Sequence, residues 1–177
     1  MARRTFKHIE KIVPDAYHGT SLQNAKKIVD TKEFTYNHNK SHYLGDGIYF
    51  FESSLSNAIY YAERRNAFVG IIKSQINLGY CLNLHDREHL NFVKETAKSL
   101  EERKGSTLTD AFVINFIATK ADIDTVRATY IATRSSGTRE KIFSGSRFFH
   151  EQQLMICVRK KENILSYALC YQGGRNG

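Results

Sequence analysis

The chain contains no tryptophan, one proline and three cysteines among its 177 residues. The cysteines, Cys81, Cys157 and Cys170, are odd in number and widely spaced, which indicates reduced thiols and a cytoplasmic location. Cys157 and Cys170 stand in apolar runs, where a free thiol behaves as a small buried side chain. No run approaches the roughly 20 apolar residues that a bilayer crossing needs, and no apolar signal region follows the basic N-terminus. We therefore expect neither secretion nor a membrane partner.

Internal repeats and low-complexity linkers are also missing, so the length suits a single domain over residues 1–177 with one core. The ends, residues 1–11 and 172–177, are expected to be flexible. The formal net charge is +8. A basic surface on a small domain favours anionic partners such as nucleic acid, acidic proteins or phosphate-bearing ligands. Charge alone does not choose among these partners.

The order of apolar patterns predicts an α+β fold. Apolar and β-branched runs predict strands, and apolar residues at helical spacing predict helices that begin after Ser or Thr caps. Because strands and helices do not alternate strictly, we expect antiparallel pairing. The segment 125–133 fits either element. The predicted strands cover residues 16–18, 48–51, 68–76, 154–158 and 164–170; the predicted helices follow Thr20 or Ser21 and Ser53 or Ser54, and cover 88–104 and 109–117.

Two short motifs stand about thirty residues apart near the start of the chain: Tyr17-His18-Gly19-Thr20, and Leu44-Gly45-Asp46-Gly47-Ile48-Tyr49-Phe50-Phe51. This pair of motifs resembles the NAD-binding core of ADP-ribosyltransferases of the diphtheria-toxin and poly(ADP-ribose) polymerase type. The resemblance covers residues 12–62 well and residues 145–170 loosely. It implies the ADP-ribosyltransferase fold, a split antiparallel β-sandwich with flanking helices, with NAD as co-substrate in the cleft between the two sheets.

The resemblance also implies roles for individual residues. His18 matches the histidine that hydrogen-bonds the adenosine ribose, and Gly19 matches the glycine whose backbone holds the nicotinamide amide. Tyr49 matches a tyrosine that packs on nicotinamide, and Tyr60, eleven positions later, matches the tyrosine on the other face of the ring. The reaction breaks the bond between nicotinamide and ribose through a transition state that resembles an oxocarbenium ion. Further residues of the implied NAD lining are Thr20, Gly47 and Asn57, with Ser53 or Ser54 as alternatives.

A third motif involves the late strand. In the family a glutamate opens this strand and contacts the nicotinamide ribose. Matching the apolar residues 154–158 puts Gln153 at that position, with Glu151 two residues earlier on the same face of a strand. Some members place two polar residues at this spacing, the first near the acceptor and the second on NAD. The resemblance thus makes Glu151 the charge-bearing candidate and Gln153 an NAD contact. Either of these two residues could be the catalytic group that acts with His18 and Tyr49.

The segment before this strand, residues 134–147, is basic and rich in Gly and Ser. In the family the loop at this place lies next to the acceptor. Its cations suit a phosphate backbone, and nearby phenylalanines are available to stack on a base. A solvated loop with no ligand is the alternative interpretation. The candidate acceptor-binding cations are Arg134, Arg139, Lys141 and Arg147, and the candidate stacking residues are Phe143, Phe148 and Phe149.

Two histidine pairs, His38 with His42 and His85 with His89, have the i, i+4 spacing of metal ligands on a helix. Neither pair has a third ligand at a recognisable spacing, so polar surface is the interpretation and no metal is expected. The segment 45–47 lacks the Lys-Ser/Thr of a phosphate-binding loop, which favours a turn that leads into a strand.

The resemblance therefore implies an NAD-dependent mono-ADP-ribosyltransferase. The basic charge favours a nucleic-acid acceptor, RNA in particular, and the compact size resembles bacterial or phage-related toxins and defence effectors, for which an antitoxin or inhibitor protein is a plausible partner. A protein acceptor is the alternative within the same activity. A catalytically weak module that binds NAD or ADP-ribose is the alternative from another class. RNA 2′-phosphotransferase chemistry, which shares the sandwich, is disfavoured because its basic His/Arg constellation is not evident.

Overall fold

A computed structural model describes residues 4–6, 8–36, 43–105, 107–131, 139–149 and 152–174 of the protein. These residues form eight strands, four α-helices and a short 3₁₀ helix at Lys161–Asn163. The strands are β1 (Arg4–Thr5), β2 (His8–Ser21), β3 (Ile48–Glu52), β4 (Phe68–Asn83), β5 (Ala121–Asp122), β6 (Thr125–Ile131), β7 (Gln152–Val158) and β8 (Ala168–Gly174). The helices are α1 (Leu22–Thr31), α2 (Leu55–Glu63), α3 (Arg87–Lys104) and α4 (Asp110–Lys120).

Six of the strands form one sheet whose pairings close into a ring. β2 pairs with β3, β3 with β7, β7 with β6, β6 with β4, and β4 with β2 again. The β4–β6 pairing is parallel and the other four are antiparallel, and β8 adds antiparallel to β4 outside the ring. A separate parallel pair joins β1 to β5. The predicted α+β fold is confirmed. The expected antiparallel pairing holds for the described strand pairs except β4–β6 and β1–β5, which are parallel.

Serine side chains begin the first two helices, as their sequence positions predict. The Ser21 hydroxyl accepts a hydrogen bond from the Asn24 backbone N–H at 3.2 Å, and the Ser54 hydroxyl accepts one from the Asn57 N–H at 3.3 Å. Each bond satisfies a donor that the first turn of a helix leaves unpaired. Ser21 and Ser54 are thus the caps, and Ser53 instead takes a left-handed backbone conformation, with φ of 58°.

Apolar side chains divide between two cores, because successive residues of a strand point to opposite faces of the sheet. We call them the α1-side core and the α2-side core after the helix that each contains. On β3, Phe50 belongs to the α1-side core, whereas Phe51 belongs to the α2-side core. The α1-side core also contains Ala16, Ile28, Phe34, Ile72, Ile156 and Val158; the α2-side core also contains Ala58, Ala62, Ile71, Ile117, Val126, Met155 and Cys157.

Several boundaries differ from the sequence-based expectations. Of the segment 125–133, which fitted either element, the described residues 125–131 form strand β6, because they pair with β4 on one side and β7 on the other. The last strand is Ala168–Gly174, whereas the predicted one began at residue 164. Parts of both ends that were expected to be flexible are paired: residues 8–9 pair with β4, and residues 172–174 pair with the start of β4.

Two smaller findings concern burial and hydropathy. Cys157 is buried as expected, but Cys170 is exposed, because β8 lies outside the closed ring of strands. No helix in the part of the chain that the structure describes is long and apolar enough to cross a membrane.

Candidate functional site

The two sequence motifs meet where strands β2 and β3 separate. The ladder between these strands joins Ala16 to Glu52 and Tyr17 to Phe51. His18 follows directly, and its Nδ1 atom lies 2.9 Å from the backbone carbonyl oxygen of Tyr49. The side chain of the first motif therefore contacts the backbone of the second, although the two residues are 31 positions apart.

The His18 ring is held in one protonation state by its surroundings. It packs edge-on against Phe34 at 5.0 Å and tilted against Phe50 at 5.7 Å between ring centroids. Burial lowers the pKa of His18 below its usual 6.5, and the hydrogen bond to the Tyr49 carbonyl opposes that change only partly. A carbonyl oxygen accepts only, so Nδ1 carries the proton of the neutral ring, and Nε2 is left as a hydrogen-bond acceptor.

Helix α2 lies directly against Gly19, which has no side chain to separate them. A Cβ atom at this position would sit 2.2 Å from the Ala58 carbonyl oxygen and 3.1 Å from the Ala62 Cβ. Contact this close gives Gly19 a packing role that does not depend on any ligand. It also brings the candidates Asn57 and Tyr60, on the same helix, to the strand that carries His18. Tyr60 is 51% exposed.

Thr20 and the turn before β3 are tied down by internal hydrogen bonds. The Thr20 hydroxyl accepts a bond from the Asn24 side-chain amide at 3.0 Å. The Tyr49 hydroxyl donates to the Gly45 carbonyl at 2.7 Å and accepts from the Leu44 N–H at 3.0 Å. Burial raises the pKa of the Tyr49 hydroxyl. This hydroxyl therefore stays protonated and fixes the turn.

Half-buried polar side chains of Asn115 and Arg159 hold the same turn through hydrogen bonds. The Asn115 side-chain oxygen accepts from the Asp46 N–H at 2.9 Å and from the Arg159 guanidinium at 2.9 Å. Arg159 also donates to the Asp46 carbonyl at 2.8 Å. A Cβ on Gly47 would lie 2.4 Å from the Cys157 sulfur, so this glycine lets the turn approach β7. The segment 45–47 is a turn that leads into β3, as predicted.

Tyrosines cluster on the α2 side of the sheet next to Gln153. The Tyr43 ring stacks on Tyr130, with centroids 4.0 Å apart and planes 15° apart, and meets Tyr49 edge-on at 5.8 Å. Tyr130 is the register partner of Gln153 in the β6–β7 ladder. Gln153 and the Tyr49 side chain therefore lie toward the same core, whereas the His18 ring packs among residues of the other core.

The predicted acceptor segment is described from Arg139 onward. The backbone N–H of Ile142 donates to the Phe148 carbonyl at 3.3 Å, which closes a small loop. Phe143, within this loop, and Phe148, at its base, are 65% and 67% exposed. The Arg139 guanidinium lies 5.9 Å from the Phe149 ring centroid. Lys141 and Arg147 are exposed on the same loop. The candidates Arg134 and Glu151 lie outside the described residues, as do His38 and His42.

A charged network that sequence patterns did not single out lies beside the candidate site. Arg127 on β6 makes two hydrogen bonds to the carboxylate of Glu52 on β3, at 2.6 Å and 2.9 Å. It also lies 3.0 Å from His85 Nδ1, and the other ring nitrogen of His85 lies 2.8 Å from the Thr129 hydroxyl. His89 accepts from the Asn83 N–H. The second histidine pair is therefore used in internal hydrogen bonds.

Two of these polar residues could have been singled out from the sequence, because each stands alone among apolar neighbours. Arg127 is the one charge within β6, and Asn115 is the one strongly polar side chain in the apolar run 111–118. A lone polar group in a buried element needs a partner, because an unpaired one is costly. That rule indicates that both residues pair with something, but it does not name Glu52 or Asp46.

Comparison with known proteins gives one distant relative and no family. No protein-family model matches the chain. The chain is 30% identical over 116 residues to an uncharacterized protein of Methanocaldococcus jannaschii, and the match covers 57% of this chain and 54% of that protein. The chain thus spans about half the length of the curated relative that it matches.

Proposed function

We propose that this protein is an NAD-dependent mono-ADP-ribosyltransferase whose acceptor is a nucleic acid, most simply RNA. The observation that carries the proposal is the 2.9 Å contact between His18 Nδ1 and the Tyr49 carbonyl. It joins the two motifs that resemble the NAD-binding core of the family at the point where β2 and β3 separate. The split sandwich of that family, with NAD between its two sheets, is part of the proposal.

The donor set at this place suits a dinucleotide. His18 offers Nε2 as an acceptor for a ribose hydroxyl, because its Nδ1–H is already used. Gly19 contributes backbone groups where β2 lies against α2, and Asn57 and Tyr60 add an amide and an aromatic face from α2. Gln153 adds a neutral amide on β7, toward the α2-side core, whereas the His18 ring lies toward the α1-side core, so NAD in the proposal reaches both faces where β2 and β3 separate. These groups bind and orient NAD in the proposal, with Tyr49 fixing the turn that borders them.

The proposed transfer breaks the bond between the ribose C1′ and the nicotinamide nitrogen. Nicotinamide leaves as a neutral molecule with the bonding electron pair, and positive charge develops at C1′ in the transition state. An acceptor hydroxyl or amine then bonds to C1′ and loses its proton. A carboxylate near C1′ stabilises the developing charge, and Glu151 is the group to which we assign this role.

The loop at 139–149 supports a nucleic-acid acceptor. It presents Arg139, Lys141 and Arg147 together with the exposed rings of Phe143 and Phe148. Cations that follow a phosphate backbone, interleaved with aromatic faces on which bases stack, are the usual features of single-strand binding. A toxin or defence role, with an inhibitor protein that restrains it, belongs to the same proposal.

A second candidate is a module that binds NAD or ADP-ribose without efficient transfer. The observation in its favour is the neutral Gln153 at the position where the family has a glutamate, because an amide supplies no negative charge at C1′.

Incubation with NAD labelled in the adenylate phosphate, together with total cellular RNA and protein, tests the proposal. We expect label on a macromolecule that survives protease and is released by nuclease. His18→Ala should abolish transfer, whereas His8→Ala, which removes an exposed histidine from the same strand, should retain it. Label that survives nuclease but is released by protease would show that the acceptor is a protein and not RNA. NAD binding without transfer or nicotinamide release would establish the binding module instead.

A further inference from the structure

The end of α2 and the two residues after it carry an aromatic and cationic surface that borders the proposed NAD site, since the Arg64 guanidinium lies 5.8 Å from the centroid of the Tyr60 ring. Tyr61 is 42% exposed, and Arg64 and Arg65 are exposed beside it. The Arg65 guanidinium lies 4.2 Å from the centroid of the Tyr61 ring, and these three side chains line a hollow of about 210 Å³. We call this set, Tyr61 with Arg64 and Arg65, the α2 surface.

The two guanidiniums are available for an anion. Within the described parts of the chain, neither Arg64 nor Arg65 forms an ion pair. Arg65 follows the end of α2 by two residues, and its guanidinium lies against the Tyr61 ring, a contact that fixes the direction of its planar group. A guanidinium with fixed direction suits a phosphate, because it presents its N–H donors as a fork.

The position of the α2 surface relates it to the loop at 139–149. The Tyr61 ring lies 5.8 Å from the Phe51 ring, and Phe51 pairs with Met155 on β7. Strand β7 begins at Gln152, three residues from Met155, which is roughly 10 Å at about 3.3 Å per residue. The α2 surface therefore lies against the part of the sheet that contains β7, the strand that follows this loop in the chain.

We propose that the α2 surface binds single-stranded RNA, with backbone phosphates on Arg64 and Arg65 and a base on the exposed part of Tyr61. The choice of RNA rests on the proposed function, but the binding itself needs no NAD. Proteins bind unpaired strands by stacking bases on aromatic rings and by placing cations beside the backbone phosphates.

Equilibrium binding of a fluorescent 12-nucleotide RNA of mixed sequence, without NAD, measures this directly. We expect Arg64→Ala with Arg65→Ala to weaken binding at least about tenfold at low salt. The slope of log K against log salt should fall by about 1.4, since each phosphate contact on a single strand contributes about 0.7. Tyr61→Leu keeps an apolar contact with Phe51 and should weaken binding without changing the slope.

The matched control removes two cations elsewhere. Lys26→Ala with Lys27→Ala, on the exposed side of α1, gives the same net charge as the double arginine variant. Equal losses in the two double variants would overturn the proposal, because charge alone would then explain the binding. Equal affinity for an acidic peptide of the same charge would overturn it in favour of a protein partner.

The outcomes also separate this proposal from the proposed transferase activity. If RNA binding depends on the α2 surface but the protein transfers nothing from NAD, the RNA-binding proposal is supported and the transferase proposal is overturned. If the double arginine variant still transfers ADP-ribose to RNA with an unchanged KM for RNA, the transferase proposal is supported and the proposal that the α2 surface binds RNA is overturned. Thermal melting of each variant confirms that it is folded before either result is used.

Discussion

The Nδ1 atom of His18 lies 2.9 Å from the carbonyl oxygen of Tyr49, at the point where β2 and β3 part. The bond occupies the one proton of the neutral imidazole and turns Nε2 into an acceptor. It also means that the two motifs depend on each other: β3 fixes the His18 ring, and His18 satisfies a carbonyl beyond the end of the β2–β3 ladder.

Stability should depend on pH through His18. Its pKa is lowered in the folded state, so unfolded chains bind the proton first as pH falls through 6.5. The free energy of unfolding is therefore highest above pH 6.5 and decreases as pH falls toward the folded pKa, by at most about 1.4 kcal/mol per pH unit from this group. Urea unfolding between pH 5 and pH 8 measures it.

His18→Asn is the comparison for that experiment, because its amide keeps an N–H donor for the Tyr49 carbonyl and does not titrate. The difference in unfolding free energy between the wild type and this variant should shrink as pH falls. Parallel curves for the two proteins would contradict the assigned protonation state.

Gly19→Ala should destabilise the protein by about 1–3 kcal/mol, because the new Cβ would meet the Ala58 carbonyl and force α2 away from β2. Gly145→Ala is the control: its nearest neighbour is 3.9 Å away, and we expect little change. Urea midpoints compare the two variants. Similar midpoints for both would show that α2 does not press on the backbone at residue 19.

Breaking the Glu52–Arg127 ion pair should lower the free energy of unfolding by about 3 kcal/mol. The Glu52 and Arg127 side chains are only 10% and 16% exposed, so removing one partner leaves the other as an unpaired, mostly buried charge. A double-mutant cycle with Glu52→Gln and Arg127→Gln should show the double variant losing less than the sum of the single losses. The exposed ion pair between Lys73 and Asp15 is the reference, and Asp15→Asn should not measurably change the free energy of unfolding. Additive losses at Glu52 and Arg127 would mean that the two groups do not interact.

Gln153→Glu should raise the rate of nicotinamide release at least about tenfold, since a carboxylate at this position would stabilise positive charge at C1′. Gln152→Glu adds the same charge to the neighbouring residue, which faces the other side of β7 and is exposed, and should have little effect. Glu151→Gln should lower the rate. An equal response to both glutamine substitutions would argue against a specific place for Gln153.

Much of the local structure follows from the sequence. Caps and helical spacing predicted α1 and α2, and residues 88–104 and 109–117 predicted α3 and α4 closely, because cap chemistry and periodicity are local properties. Strand lengths were less predictable. β2 extends well beyond residues 16–18 because β4 pairs along most of it. Residues 125–131 form a strand because β4 and β7 flank them.

The sequence by itself determined an α+β chain with two motifs at a fixed separation and a basic loop before a late strand. Only the tertiary structure decided that the His18 ring and the Tyr49 ring pack toward different cores, that Gly19 bears on α2, and that Arg127 meets a carboxylate 75 residues away. The physical reason is that caps and periodicity act over a few residues. Contacts between distant strands depend on how the whole sheet closes.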